Sequence, residues 1–137
     1  MKRDMARRSK SELEGRFFSG ERVEITQSDV ESFYCPKDKD QHFLWDSKVL
    51  GFALRSSTKG TKSFVVKKEL YVDGKQKPYK LNLGSVEIID LESARRLAEE
   101  KIRFYASVKM TPTEHRAWEH QKSVEDEAVR VLEAQAL

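Results

Sequence analysis

Three segments between Gly51 and Gly84 alternate apolar and polar residues, and this alternation constrains the fold more than any other feature of the chain. The apolar positions that share one parity are Phe52, Leu54, Phe64, Val66, Leu70, Tyr79, Leu81 and Leu83. A period of two predicts half-buried antiparallel strands. Gly60 and the pair Asp73-Gly74 supply the turns, and Asp-Gly is a strong hairpin signal. The segment "HFLWD", with Phe43 and Trp45 on one side, is a further strand candidate.

The periodicity changes after Gly84, where Asp90 can cap a helix. Its apolar stripe consists of Leu91, Ala94, Leu97, Ala98, Ile102 and Tyr105. A sheet with one apolar face needs a cover, and this helix can provide it. We therefore predict an α+β fold, in which a small three- to four-stranded antiparallel sheet packs on one helix and an extra C-terminal helix follows. The predicted core consists of Phe52, Leu54, Phe64, Val66, Leu81 and Leu97.

The chain is predicted to have three parts. Residues 1–25 are polar and basic, without clear periodicity, and are interpreted as a flexible arm. Residues 26–110 form the domain, which begins with a short helix capped by Thr26 or Ser28.

Residues 111–137 are predicted to open another, truncated helical unit. Thr111, Pro112 and Glu114 form the pattern of a capping box with proline at the first helical position. An apolar stripe follows at helical spacing, formed by Trp118, Val124, Ala128, Val131 and Leu132.

Positive charge is concentrated on the predicted sheet. From Lys48 to Lys80 there are nine Lys and Arg residues against Glu69 and Asp73, whereas residues 111–137 hold three basic and six acidic residues. Concentrated basic charge indicates a polyanionic partner, most often nucleic acid. A merely solvated lysine surface is the alternative.

The parity of the strands divides the candidate DNA contacts into two groups. Those that point outward from the strands are Arg55, Lys67, Lys80 and Asn82. Those assigned to the turns are Lys59, Lys62, Lys75 and Lys77. A narrow β-ribbon can enter the DNA major groove, where arginine and asparagine read base edges while turn lysines contact phosphates.

The sequence offers no recognisable catalytic machinery. It lacks a glycine-rich phosphate loop, and His115 and His120 are five residues apart, so they do not share a helical face as metal ligands. Cys35 is the single cysteine, which fits a reducing cytoplasm. With no apolar run long enough for a membrane, we expect a cytoplasmic protein without cofactor, metal site or small-molecule substrate.

Six motifs in order resemble the N-terminal arm-type DNA-binding domain of phage and genomic-island integrases, which are tyrosine recombinases. They cover about residues 26–110. In this chain the best-defined stretches are Trp45-Asp46, Gly51 to Arg55, Gly60 to Phe64, Leu81 to Gly84, and Leu91 to Ala98.

The resemblance implies a three-stranded sheet that enters the major groove of arm-type DNA sites, with other integrase subunits as partners. It also implies that a helical core-binding domain begins after "MTP". The family's catalytic domain, with its nucleophilic tyrosine, does not fit within this length, and Tyr34, Tyr71, Tyr79 and Tyr105 do not align with that nucleophile. We therefore expect a fragment or truncated relative without strand-cleaving activity.

Two other functions stay open at this stage. The basic sheet could bind an acidic protein, or it could bind RNA. Single-stranded RNA recognition usually uses aromatic stacking platforms, and the sequence indicates few outward aromatic residues, with Tyr71 as one candidate.

Overall fold

The computed structural model describes residues 9–136 and confirms the α+β fold. In chain order the elements are α1 (Lys10–Phe18), α2 (Gln27–Ser32), β1 (Gln41–Trp45), β2 (Phe52–Ser57), β3 (Lys62–Val72), β4 (Lys75–Ser85), α3 (Leu91–Val108) and α4 (Pro112–Ala136). Thr26 and Thr111 precede α2 and α4 and make the reciprocal hydrogen bonds of a capping box, as predicted.

The four strands form one antiparallel sheet in the order β1-β2-β3-β4. Asp73 and Gly74, which join β3 to β4, both have positive φ, the type I′ geometry that suits a two-residue hairpin. Strand β2 pairs with β3 only as far as Val66, so the remainder of β3 pairs with β4 alone. The sheet therefore narrows to a two-stranded ribbon, formed by residues 67–80.

The main core lies between the sheet and α3. Phe52, Leu54, Phe64 and Val66 are all buried, as predicted, and the rings of Phe52 and Phe64 stack with centroids 5.6 Å apart. On α3 the buried apolar residues are Leu91, Ala94, Ala98 and Tyr105. Leu81 packs against the core while partly exposed. The prediction for Leu97 was wrong: it is only partly buried, because Ala94 and Ala98 rather than Leu97 lie on the buried face of α3.

The segment before residue 26 differs from the predicted flexible arm. Residues 10–18 form α1, and Phe17 on this helix is buried in the core, with its ring 5.1 Å from that of Phe33. Arg16 binds the Asp29 carboxylate through two nitrogens, at 2.6 and 2.7 Å. The aromatic anchor and the ion pair hold this segment against α2. Residues 1–8 of the predicted arm lie outside the described residues.

A buried ion pair joins the first strand to α3. Asp46, which follows β1 and is fully buried, accepts hydrogen bonds from Arg95 Nε at 3.1 Å and Arg95 Nη2 at 2.9 Å. It also accepts from the backbone amides of Ile25 and Val49. Arg95 Nη2 in turn donates to the Ile25 carbonyl at 2.6 Å. Two side chains thus connect the pre-α2 segment, the β1–β2 connection and the covering helix.

The hydrogen bonds keep Asp46 ionised despite its burial. Burial by itself would raise the pKa of Asp46, but the bonds from Arg95 and from two backbone amides outweigh it and hold this pKa below its usual range. A carboxylate with a lowered folded-state pKa stabilises the fold above its unfolded pKa of about 3.9, and the contribution is lost as the pH falls through the folded value.

Replacing Asp46 by Asn should lower the free energy of unfolding at pH 7 by about 3–5 kcal/mol, because the buried Arg95 loses its buried counterion and keeps only the exposed Glu92. Urea unfolding followed by circular dichroism measures this difference. Glu92→Gln is the matched control, since Glu92 also contacts Arg95 but is exposed, and it should change stability by less than about 0.5 kcal/mol. Equal losses in the two variants would contradict the role given to Asp46.

Candidate nucleic-acid interface

The outer face of the sheet, the side away from α3, carries four of the predicted contact residues. Strand register places Lys67 directly opposite Lys80 and Val65 opposite Asn82, and Arg55 shares their face from β2. We call Arg55, Lys67 and Lys80 the basic cluster. Three adjacent strands thus bring residues far apart in sequence onto one exposed surface.

The basic cluster is positively charged without compensation from acidic side chains. No carboxylate in the described part of the chain lies within salt-bridge distance of its three members. Partial loss of solvent and repulsion from Arg55 and Lys67 lower the pKa of Lys80. Such crowding costs free energy in the isolated protein, and a bound anion would relieve it.

An aromatic pair, Phe43 and Trp45, lies beside the basic cluster and was not assigned to this face by the sequence analysis. The rings stack with centroids 5.7 Å apart. The Lys67 and Lys80 ammonium groups lie 4.5 and 5.8 Å from the centroid of the Phe43 ring, within the range of a cation–π interaction. The signal was present in the sequence, because Phe43 and Trp45 alternate with the buried Leu44, but the pairing of β1 was needed to place them.

Two predicted outward residues are on the expected face but are not exposed. Ala53 and Val65 are fully buried. Ala53 lies opposite both Trp45 and Val65 in the register, so the large aromatic side chains of β1 stand next to these small ones. The centre of the outer face is therefore apolar, with charge around it.

The ribbon end of the outer face is polar and carries one acidic group. Glu69 is the single carboxylate that the described strands place on this face, and its oxygen accepts hydrogen bonds from the side chains of Gln76 and Tyr71. Tyr71 itself is 69% exposed. These three side chains bridge β3 and β4 across the hairpin.

Asn82 on the outer face and two of the four remaining candidates, Lys59 and Lys75, are exposed to solvent. Lys59 is exposed in the β2–β3 turn, as predicted. Lys75 is exposed but is the first residue of β4 rather than part of the turn, and it lies on the same side of the strand as Lys77. Asn82 is exposed, although its amide oxygen accepts from the Gly84 backbone amide at 3.1 Å. Its NH₂ group and the second lone pair of that oxygen are left for a ligand.

Lys62 and Lys77 do not lie in turns, in contrast to the sequence prediction. Both are on strands and point to the inner side of the sheet. Lys62 Nζ donates to the carbonyl oxygens of Val30 and Glu31 at the end of α2, at 2.7 and 2.9 Å. Lys77 Nζ binds the Glu114 carboxylate at 2.9 Å, next to the cap of α4. Both ammonium groups are thus used within the protein.

Residues 9–136 contain neither a cluster of potential metal ligands nor a candidate membrane-spanning helix. No group of three or more potential metal ligands occurs among them. No helix in this range has the length and apolar character needed to cross a bilayer. The outer face, a charged surface around an apolar centre, is the feature that most clearly suits a binding module for polyanions.

Comparison with known families agrees with this class. A family model described as "Arm DNA-binding domain" matches residues 25–118. The chain belongs to this family of arm-type DNA-binding domains, which is typical of phage integrases. No curated protein matches the chain at a significant level, and no solved structure does either.

The contacts of Lys62 predict a structural role for it. Lys62→Met should lower the free energy of unfolding by about 1.5–3 kcal/mol, because two helix-end carbonyls lose a charged donor. Lys59→Met, in the neighbouring exposed turn, should change it by less than about 0.5 kcal/mol. Thermal and urea unfolding of the two variants test this difference. If Lys62→Met is as stable as the parent protein, the structural role given to Lys62 is wrong, and Lys62 is an ordinary surface lysine.

Proposed function

We propose that the chain binds double-stranded DNA at arm-type sites, through the outer face of its sheet, as the N-terminal module of a phage-type site-specific integrase. The observation that carries this proposal is the basic cluster, in which Lys67 and Lys80 are exposed and Arg55 is half-buried, with no acidic partner in the described residues. Membership of the arm DNA-binding family supports the same ligand.

The shape of the sheet suits the major groove. The groove of B-DNA is about 12 Å wide and admits a two-stranded β-ribbon, and strands lie about 4.8 Å apart. Strands β2, β3 and β4 carry Arg55, Lys67 and Asn82 on one face. The axes of β2 and β4 are therefore about 10 Å apart, which fits the width of the groove.

The chemistry of the outer face assigns the contacts. Arg55 and Lys67 would donate to the N7 and O6 acceptors of guanine, and Asn82 would pair with adenine. Lys59 and Lys75 lie at the two ends of β3, where they would contact phosphates that position the protein without specifying sequence. Arg55 and Lys67 repel the charge of Lys80. Lys80 would therefore contact the nearest phosphate or base acceptor.

The remaining parts of the chain would serve the assembly rather than DNA reading. Residues 111–137 would begin the core-binding domain of the integrase, and the apolar residues of α4, including Trp118 at 47% exposure, would meet that domain. Other integrase subunits would be partners in the recombination complex, in the cytoplasm of a bacterial host. Strand cleavage would belong to a catalytic domain, not to this module.

The proposal is tested by titrating Arg55→Ala and Lys75→Ala, each on a selected cognate duplex and on a scrambled duplex, at two salt concentrations. Arg55→Ala should lose about 1–3 kcal/mol of binding free energy on the cognate duplex and much less on the scrambled one. Lys75→Ala should weaken binding to both duplexes similarly and lower the salt slope by about one unit.

Several outcomes would contradict this assignment. If Arg55→Ala loses equally on both duplexes, the outer face is an electrostatic surface rather than a sequence reader. The sequence argument against RNA was the small number of outward aromatic residues, and Phe43 and Trp45 weaken it. The titrations therefore include a single-stranded RNA of the same sequence. Tighter binding to this RNA than to the duplex would overturn the duplex assignment. If neither variant changes nucleic-acid binding, an acidic protein partner becomes the better explanation.

A further inference from the structure

The aromatic pair raises a question that charge alone does not answer. A surface that only attracts phosphates needs no large apolar side chains among its cations. Yet Phe43 and Trp45 are partly exposed on the outer face, stacked with an interplanar angle of 21°. Both come from β1, the edge strand, where polar side chains could face solvent at little cost.

The surroundings of Phe43 hold its ring at the centre of the basic cluster. Arg55 lies directly opposite Phe43 in the β1–β2 register. Trp45 supports the ring by stacking, and the Lys67 ammonium lies over it. An ammonium gains more from a phosphate or a guanine edge than from a ring face, so DNA would draw Lys67 away and uncover the ring.

Only one feature of the major groove is apolar. Thymine presents its C5-methyl group there, whereas the other groups along the base edges are hydrogen-bond donors or acceptors. A phenylalanine ring can neither donate nor accept a conventional hydrogen bond, but it can remove a methyl group from water.

We propose that Phe43, supported by Trp45, is a specificity-determining residue that contacts the 5-methyl group of a thymine in the recognised site. This inference rests on the proposed function. Phe43 would thus take part in base recognition together with Arg55 and Asn82.

The register also restricts where that thymine lies. Adjacent strands are about 4.8 Å apart, and successive base pairs along a strand rise by about 3.4 Å. Because Phe43 and Arg55 are direct cross-strand neighbours, the thymine should lie within about two base pairs of the guanine that Arg55 contacts.

The experiment begins with selection of a tight-binding duplex from a randomised pool, using the full chain. Each thymine of the selected duplex is then replaced singly by deoxyuridine, which lacks only the methyl group. One or two replacements should weaken binding by about three- to fivefold. They should lie within two base pairs of the position at which Arg55→Ala loses its base preference.

The same duplex pairs are measured with Phe43→Ala, for which the deoxyuridine penalty should disappear. The ratio of two affinities is taken on one protein preparation, so a smaller folded fraction does not alter it. Tyr71→Ala is the matched control, because Tyr71 is an exposed aromatic on the same face but at the ribbon end, and it should retain the penalty.

Two different results would overturn the inference. If every deoxyuridine duplex binds the parent protein as tightly as the thymine duplex, or if Phe43→Ala keeps the penalty, the methyl contact is wrong while duplex binding stands. If no duplex is enriched from the pool, the proposed function fails and the inference fails with it.

Discussion

The ion pair between Asp46 and Arg95 is the interaction on which the arrangement of this domain depends. It is buried, and it joins the end of β1, the segment before α2 and the covering helix through hydrogen bonds shared by two side chains. A buried charge pair adds little net stability compared with apolar residues of similar size, but losing one member is costly. We interpret the ion pair as an interaction that fixes the position of β1. The position of β1 in turn determines where Phe43 and Trp45 lie on the outer face.

Covering one face of the sheet leaves the other available for binding. Helices α1, α2 and α3 together bury the inner face. Two lysines that were assigned to turns as phosphate contacts bind helix ends on that side instead, Lys62 at the end of α2 and Lys77 at the start of α4. The cations of the basic cluster, on the outer face, have no carboxylate partner among the described residues. Lys62 and Lys77 are thus separated from Lys67 and Lys80 by the face of the sheet on which they lie.

The sheet, its turns and α3 could be predicted from the sequence because each carries a local periodic signal, such as the alternation from Phe64 to Leu70 or the Asp73-Gly74 turn. Helix α1 could not, because its stability comes from tertiary contacts of Phe17 and Arg16 rather than from an apolar stripe. The inward positions of Lys62 and Lys77 follow from the same alternation, because Lys62 shares the parity of Phe64 and Lys77 that of Tyr79. Their partners on the helices could not be predicted, because no local pattern reports where the helices pack. Phe43 and Trp45 were placed on one side of a strand, but only the pairing of β1 with β2 brings them to Arg55.

Lysine footprinting of the full chain, with and without a selected duplex, tests the central claim that the outer face is the DNA-binding surface. An amine-reactive acylating reagent and mass spectrometry report the accessibility of each lysine in one experiment. If the outer face binds DNA, the duplex should protect Lys67 and Lys80. Lys109, directly after α3, and Lys122, on α4, should react as they do without DNA. Protection of Lys109 and Lys122 with unchanged reactivity at Lys67 and Lys80 would contradict it.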